Sequence, residues 1–374
     1  SSFLQEMLSS VDPAKALGRE VTIRQALDEA AARIESGSLK DQPDIEADLR
    51  TSIGTTYLAL GHYPEAEPHL RAALEIRRRL HGDSHPDVAV SLNDLASLFS
   101  LQGRHVEEES LLREAMMIQR RLHGDRHVDI ASTMQSLGAA LRTQHKYEEA
   151  EPFYRSALAM RRELLGAEHI DVAQTVNSLA LLLQDKGDYA GAEPLFREAL
   201  ATRRKLLGDP HPIVADALNN LANLLHLRAN HMEATSLLQE ALAMRRKLLG
   251  PEHPNVAQSM NNLAILLYEK GDYSKAEAFY REALGIWRKT LPEGHVDIGN
   301  GASGLGLVLT AKKEYVEAEL LLRESLAIRE AVLPQGHWLR FVAMSALGPA
   351  LSGQGKYAEA ESLLIDGYEG LKDQ

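Results

Sequence analysis

Seven histidines follow one another at intervals of 42 residues: His85, His127, His169, His211, His253, His295 and His337. Imidazole ligates metals and serves as a general base, so such a series invites a metal reading. The spacing opposes it. Equivalent residues of successive repeats stand at least a helix-packing distance apart, about 8–10 Å, whereas zinc ligands lie about 2.0–2.1 Å from their ion. One histidine per repeat therefore cannot converge on one ion, and the series reads as loop histidines bonded to nearby backbone. His123 and His127 are the closest pair by spacing, with no carboxylate partner legible beside them. The chain has no cysteine, which excludes thiolate zinc sites, iron–sulfur clusters, disulfides and cysteine nucleophiles.

Gly299-Asn300-Gly301-Ala302-Ser303-Gly304 spells the fingerprint that cradles a dinucleotide pyrophosphate. That chemistry needs a strand, a tight turn and a helix, and no strand pattern precedes it. The glycines instead weaken a helix by about 1 kcal/mol each relative to Ala. They predict a soft joint or unusually close packing. No nucleophile–base spacing and no convergent acid–base pair emerges, so the chain reads as non-catalytic, without cofactor or metal.

A third pattern is cationic. Arg77-Arg78-Arg79, Arg120-Arg121, Arg161-Arg162, Arg203-Arg204-Lys205, Arg245-Arg246-Lys247 and Arg288-Lys289 recur late in each unit. With Arg161, Arg203 and Arg245 as members, they make a stripe that would attract acidic peptides or phosphates. Acids interleave with them: Glu67–Arg71, Glu109–Arg113, Glu151–Arg155, Glu193–Arg197, Glu277–Arg281 and Glu319–Arg323 are i, i+4 pairs of favourable order. A solvated face is the first reading and an electrostatic docking surface the second. The net charge of -12, from 53 acids against 41 bases, opposes nucleic acid as the main partner.

The elements that position these residues come from the same interval of 42. A second register repeats it: Tyr63, His105, Tyr147, Tyr189, His231, Tyr273, Tyr315 and Tyr357. Within residues 86–123, Val88, Leu92, Leu95, Ala96 and Phe99 recur at helical spacing and give a helix A. Gly103 makes the turn. Leu111, Leu112, Ala115, Ile118 and Leu122 give a helix B, and Gly124 ends it. Proline at the first helical position, as at Pro86 and Pro254, loses no hydrogen bond. Small columns such as Ala66, Ala150, Ala192, Ala234, Ala276, Ala318 and Ala360 let helices cross closely. Such hairpins cannot bury their apolar faces alone and must stack on neighbours. Residues 1–43 are expected to form a capping segment, with an amphipathic helix through Val21, Ile23, Ala26, Leu27, Ala30 and Ile34. Residues 44–374 are expected to form eight repeats.

Four columns share one face of helix A, at spacings of 3, 4 and 3. The central one holds Asn93, Gln135, Asn177, Asn219 and Asn261. Three residues earlier lie Ser132, Gln174, Asp216 and Gln258. Four later lie Ser97, Ala139, Leu181, Asn223 and Ile265. Three further on lie Ser100, Gln184, His226 and Tyr268. A carboxamide both donates and accepts, so this face can pair with a peptide backbone whatever its sequence, while Leu181, Ile265 and Tyr268 offer apolar pockets. The alternative is that the amides satisfy neighbouring backbone and the array is a structural spacer or self-assembling scaffold.

The Leu-Gly or Leu-Ala pair of helix A, the Gly-x-Tyr turn and the Ala and later aromatic of helix B (Tyr154, Phe196, Tyr280) resemble the tetratricopeptide repeat. The usual unit has about 34 residues. The longer unit, with its Leu-Gly-x-x-His-Pro linker and Leu-Asn-Asn-Leu-Ala core, resembles the kinesin light chain repeats. That resemblance implies a right-handed α-solenoid whose A helices line a concave groove, with Asn93, Asn177, Asn219 and Asn261 where kinesin light chains hold extended peptides. Kinesin light chains carry a tyrosine where Arg77, Arg161, Arg203 and Arg245 stand, so their cargo preference does not transfer. The opening Phe3-Leu4-Gln5-Glu6-Met7-Leu8 and the closing Gly367-Tyr368-Glu369-Gly370-Leu371-Lys372 resemble the segments flanking the repeats of bacterial eukaryotic-like serine/threonine kinases. In that family a kinase domain lies upstream, and none of its motifs occurs in this chain.

The sequence thus predicts an all-α repeat protein that binds a protein or peptide. Neither nucleic acid nor membrane insertion is expected, and the oligomeric state is open. No apolar run of about 18 residues and no signal segment occurs. The chain begins at Ser1 rather than Met and is read as a piece of something longer. The expected compartment is the cytoplasm, or the outer side of a bacterial membrane if a span precedes Ser1.

Overall fold

The computed structural model describes residues 23–372, all of whose regular structure is helical. The opening segment through Thr22, including Val21 of the expected cap, lies outside the described residues. The chain divides into two compact units, one ending at Gly187 and one beginning at Asp188. The first unit contains α1 (Ile23–Glu35), then α2 (Pro43–Ala59) with α3 (Tyr63–His81), α4 (Pro86–Leu101) with α5 (His105–His123), α6 (Val128–Thr143) with α7 (Tyr147–Leu165), and α8 (Ile170–Asp185). The second contains α9 (Tyr189–Leu207), then α10 (Pro212–Leu227) with α11 (His231–Leu249), α12 (Pro254–Glu269) with α13 (Tyr273–Thr290), α14 (Val296–Ala311) with α15 (Tyr315–Val332), and α16 (Trp338–Ser352) with α17 (Tyr357–Lys372). Within each unit the A and B helices of a hairpin pack on each other, and each B helix packs on the A helix that follows it. No helix among the described residues is long and apolar enough to cross a membrane.

The phased histidines start the A helices. Each sits in extended conformation one residue before its helix, and its Nδ1 accepts the backbone N–H two residues on. The bond is 3.2 Å at His169 and 3.1 Å at His253. An imidazole thus does the capping work usually given to Ser, Thr, Asp or Asn. Gly124 closes α5 at φ 74°, a conformation open to glycine at little cost. In the first unit α1 buries Leu27, Ala30 and Ile34 against Ile53, Tyr57, Ala66 and Leu70 of the first hairpin. The hydroxyl of Tyr57 donates to Asp28 of α1 at 2.5 Å.

A polar ladder stitches each B helix to the next turn. Glu67 accepts from Arg71 on its own helix and from Arg104 beyond α4. Glu109 takes Arg113, Gln144 and Lys146; Glu151 takes Arg155 and Lys186. In the second unit Glu193 takes Arg197 and Arg228, Glu277 takes Arg281 and Lys312, and Glu319 takes Arg323, Gln354 and Lys356. The intrahelical pairs foreseen from spacing are therefore half of a network whose other half joins neighbours. The Lys356 ammonium, helped by Arg323 and Gln354, holds the Glu319 carboxyl down at about 2 against the opposing effect of burial.

The glycine-rich A helix is regular over Val296–Ala311 and closely packed. A Cβ on Gly304 would lie 2.3 Å from the Tyr280 ring, and one on Gly301 2.9 Å from the Trp287 ring. One on Gly306 would meet Leu322 at 2.6 Å. Of the two expectations for this segment, close packing describes it.

Two predictions follow from this packing. Helix propensity alone would make Gly304→Ala stabilising by about 1 kcal/mol, but the overpacked Tyr280 reverses the sign. A net loss of about 1–3 kcal/mol is expected in urea unfolding followed by circular dichroism, and a gain would contradict the close-packing account. Glu319 titrates lower in the folded chain than unfolded. Its contribution is therefore complete above pH 4.5 and lost as pH falls toward 2. Glu319→Gln should cost about 1–3 kcal/mol near pH 6, with the cost disappearing as pH falls through about 2; a cost independent of pH would refute the linkage.

Candidate functional site

In the first unit the A-helix face opens into a cleft of about 500 Å³ between α4, α5 and α6. Asn93, Ser97 and Ser100 of α4 line it, with Ser132, Thr133 and Ser136 of α6 opposite. Ala96, Leu101, Leu112 and Ala139 supply apolar wall. Asn93 is half-buried, and its Oδ1 accepts from the Thr133 hydroxyl at 3.5 Å.

Glu108 also lines this cleft and is only 4% exposed. It occupies the helix-B position that is alanine at Ala66, Ala150, Ala192, Ala234, Ala276, Ala318 and Ala360. Its Oε2 lies 2.9 Å from Nδ1 of His105, which stands in the register usually held by tyrosine. Two departures from the repeat thus meet as a buried carboxylate–imidazole pair. A buried carboxylate costs stability unless paired, and alanine would fill the helix crossing better. Ser97, Ser100 and Ser132 belong to the face inferred from sequence; Ser136 and Glu108 do not. The legible signal was the break in the alanine column.

The other expected groove residues fall into two groups. The central amides belong mostly to the seam between helices. Gln135 is half-buried, and its Oε1 accepts from Arg161 and from Thr175. Asn177, Asn219 and Asn261 are buried. Asn219 donates to the Ala215 carbonyl of its own helix at 3.0 Å. The flanking columns carry the accessible groups. In the first unit Gln174 is exposed, and Leu181 and Gln184 are half-buried. In the second, Asn223 and Ile265 are exposed, while His226, Gln258 and Tyr268 are half-buried. Gln258 donates to Asn262 at 2.9 Å, and burial pushes the Tyr268 hydroxyl up in pKa.

The expected electrostatic stripe requires correction. Arg161, Arg203 and Arg245 are 6%, 7% and 8% exposed. They occupy the side of helix B that meets the next A helix, not solvent. Arg161 donates to the Thr175 hydroxyl at 2.6 Å, the Asp171 carbonyl at 3.1 Å and the Ser132 hydroxyl at 2.9 Å. Arg245 repeats this with Ser259, the Asn255 carbonyl and Asp216. Burial pushes the Arg161 and Arg203 guanidinium groups down in pKa. These cations hold A helices from beneath rather than offering charge to a partner.

Three groups bring histidines and a carboxylate close enough to share a cation: His81, His85 and Asp87; His123, His127 and Asp129; and His226, His231 and Glu269. Only His123 and His127 were paired from sequence. The approach of Asp129, two residues on, depends on the helix start and is not written in the spacing. His81 and His123 replace the leucine found at Leu165, Leu207 and Leu249.

Tetratricopeptide repeat models match residues 46–118, 171–247 and 214–289 in one form, and 130–171 and 302–339 in another. Among solved structures, BtubC (BKLC) from P. vanneervenii aligns with a TM-score of 0.52 and 22% identity, over 60% of this chain and 90% of that one. The apo quorum sensor NprR from B. thuringiensis aligns with a TM-score of 0.66 and 12% identity, over 99% of this chain and 98% of that one. At such identities the likeness speaks for the fold alone. A kinesin light chain repeat protein from Podosopora anserina is 26% identical, with a TM-score of 0.46, over 54% of this chain and 96% of that one. No curated protein matches the sequence. The repeated hairpins, their small-residue crossings and the matched models agree: this chain belongs to the tetratricopeptide repeat family.

Proposed function

We propose that this chain is a non-catalytic protein-interaction module whose A-helix faces bind an extended segment of a partner protein. The cleft of the first unit is its anchoring site, and the anchor it takes is a basic side chain. The observation that carries this is Glu108. A cleft of about 500 Å³ is within the range that holds small ligands and anchoring side chains. Its serines and Asn93 both donate and accept, and the carboxylate of Glu108 selects a lysine or arginine by charge-assisted hydrogen bonding. The exposed Gln174 in the first unit, and Asn223 in the second, supply sequence-tolerant contacts to a peptide backbone.

The wider setting we propose is the repeat region of a bacterial serine/threonine kinase, on the strength of the flanking segments alone. A kinase domain encoded upstream in the same reading frame is the test, and its absence would remove that part. A self-assembling array is the second reading, favoured by the exposed Tyr357, Ile365 and Tyr368 of α17. A molar mass that rises with concentration in light scattering would support it.

Selection of random displayed peptides on the wild-type chain should enrich sequences with a lysine or arginine. Their affinity should fall at least about tenfold, or about 1.4 kcal/mol, in Glu108→Ala. Because alanine is the residue of the sister repeats, the variant should unfold at the same temperature or higher. Peptides that bind Glu108→Ala as tightly as wild type would overturn the assignment of the anchor.

A further inference from the structure

The group formed by His226, His231 and Glu269 lies wholly within the second unit. His226 ends α10, His231 begins α11 across a short turn, and Glu269 ends α12 of the following repeat. One nitrogen of each imidazole and one carboxylate oxygen lie within 4.8 Å of one another. The Nδ1 atoms of His226 and His231 are both buried and have no hydrogen-bond partner. His226 Nδ1 nevertheless stands 3.3 Å from Glu269 Oε2. At that separation the two atoms form an ion pair when the ring is protonated and have the spacing of neighbouring ligands on one ion when it is not. Bonds of about 2.0–2.1 Å to a tetrahedral centre set its ligand atoms about 3.3–3.4 Å apart.

The two other histidine groups are built differently. The rings of His81 and His85, and of His123 and His127, stack face to face at 22° and 14°. Lone pairs in nearly parallel planes do not converge. Nδ1 of His85 and of His127 already accepts a helix N–H. The rings of His226 and His231 are tilted by 54°, so their planes intersect. The next repeat places Tyr268 and Tyr273 at the same two positions, with centroids 5.6 Å apart as in the histidine pair. The frame therefore exists without a ligand set, and only this repeat equips it with two imidazoles. Arg142 and Asp185, at the positions equivalent to His226 and Glu269, form a plain ion pair at 3.1 Å.

We propose that His226, His231 and Glu269 form a binding site for a divalent transition-metal ion of the zinc class. Two imidazole nitrogens and one carboxylate oxygen are a ligand set suited to such ions. Three protein ligands leave a fourth position for water or for a carboxylate brought by a partner. Glu269 retains 42% side-chain exposure and gives the ion a route in. The site does not depend on the peptide-binding reading.

The test uses the chain without an affinity tag, titrated with Zn²⁺ in a calorimeter and with Co²⁺ by visible absorption. His231→Tyr and His226→Gln install residues that stand at these positions in sister repeats, so both variants should fold as the wild type does. Each should lose one bound equivalent and the corresponding Co²⁺ absorption. His127→Asn, which keeps a capping side chain, should retain that equivalent. Unchanged stoichiometry in His231→Tyr and His226→Gln, loss of the equivalent in His127→Asn instead, or no binding by the wild type would each overturn the site.

Discussion

A hairpin of this chain has more apolar surface than its own two helices can cover, and only its neighbours can cover the rest. Everything else follows from how that seam is made. Its apolar part is the meeting of a large helix-B residue with a small residue of the next helix A, as where Tyr280 lies against Gly304. Its polar part is the buried arginine. Arg77 donates to Ser91, Arg161 to Thr175 and Arg245 to Ser259, each reaching fourteen residues ahead into the next A helix. Two repeats do without the charge: Gln119 takes the arginine position in one, and in another Trp287 takes it and packs on Gly301, fourteen residues on. Arginine with a hydroxyl, or tryptophan with a glycine, fills a similar volume. Exchanging one partner alone leaves either a buried unpaired cation or a clash.

That constraint explains where function can reside. Positions on the seam are answerable to packing, and their side chains are buried. The central amide column is of this kind. Freedom lies in the columns beside it and in positions where the repeat is broken at some cost. Glu108 puts a carboxylate where alanine packs best, and His231 puts an imidazole where tyrosine is the rule. Neither change improves the stack. Each places a charged or ligating group at the edge of an A-helix face, one in each unit.

The hairpins were legible because their signal is repeated with every unit. An error in reading one helix boundary is corrected by the others at the same phase. The histidine caps were legible as loop residues by position, though not as caps, since which ring nitrogen meets which N–H is a matter of backbone geometry. The arginines misled for a physical reason. A run of two or three cations on a helix looks like a solvated face, but successive residues point about 100° apart. In the runs that begin at Arg77, Arg161, Arg203 and Arg245 the first cation therefore turns into the seam, whereas Arg120 and Arg288 follow the buried Gln119 and Trp287 and stay exposed. The asparagines are ambiguous in sequence, because a carboxamide is suited equally to a ligand, as at Asn93 in the cleft, and to a buried helix crossing, as at Asn219. The cleft and the His226 group depend on side chains from three helices and are not written in any single column.

The role proposed for the first unit is to receive a partner segment on its A-helix face. Hydrogen–deuterium exchange with and without a selected basic peptide tests it most directly. Added protection is expected in α4 and α6, concentrated around residues 93–101 and 132–139, with the outer turns of α5 and α7 unchanged. Protection confined to the B helices or the loops, with α4 and α6 unaltered, would contradict it.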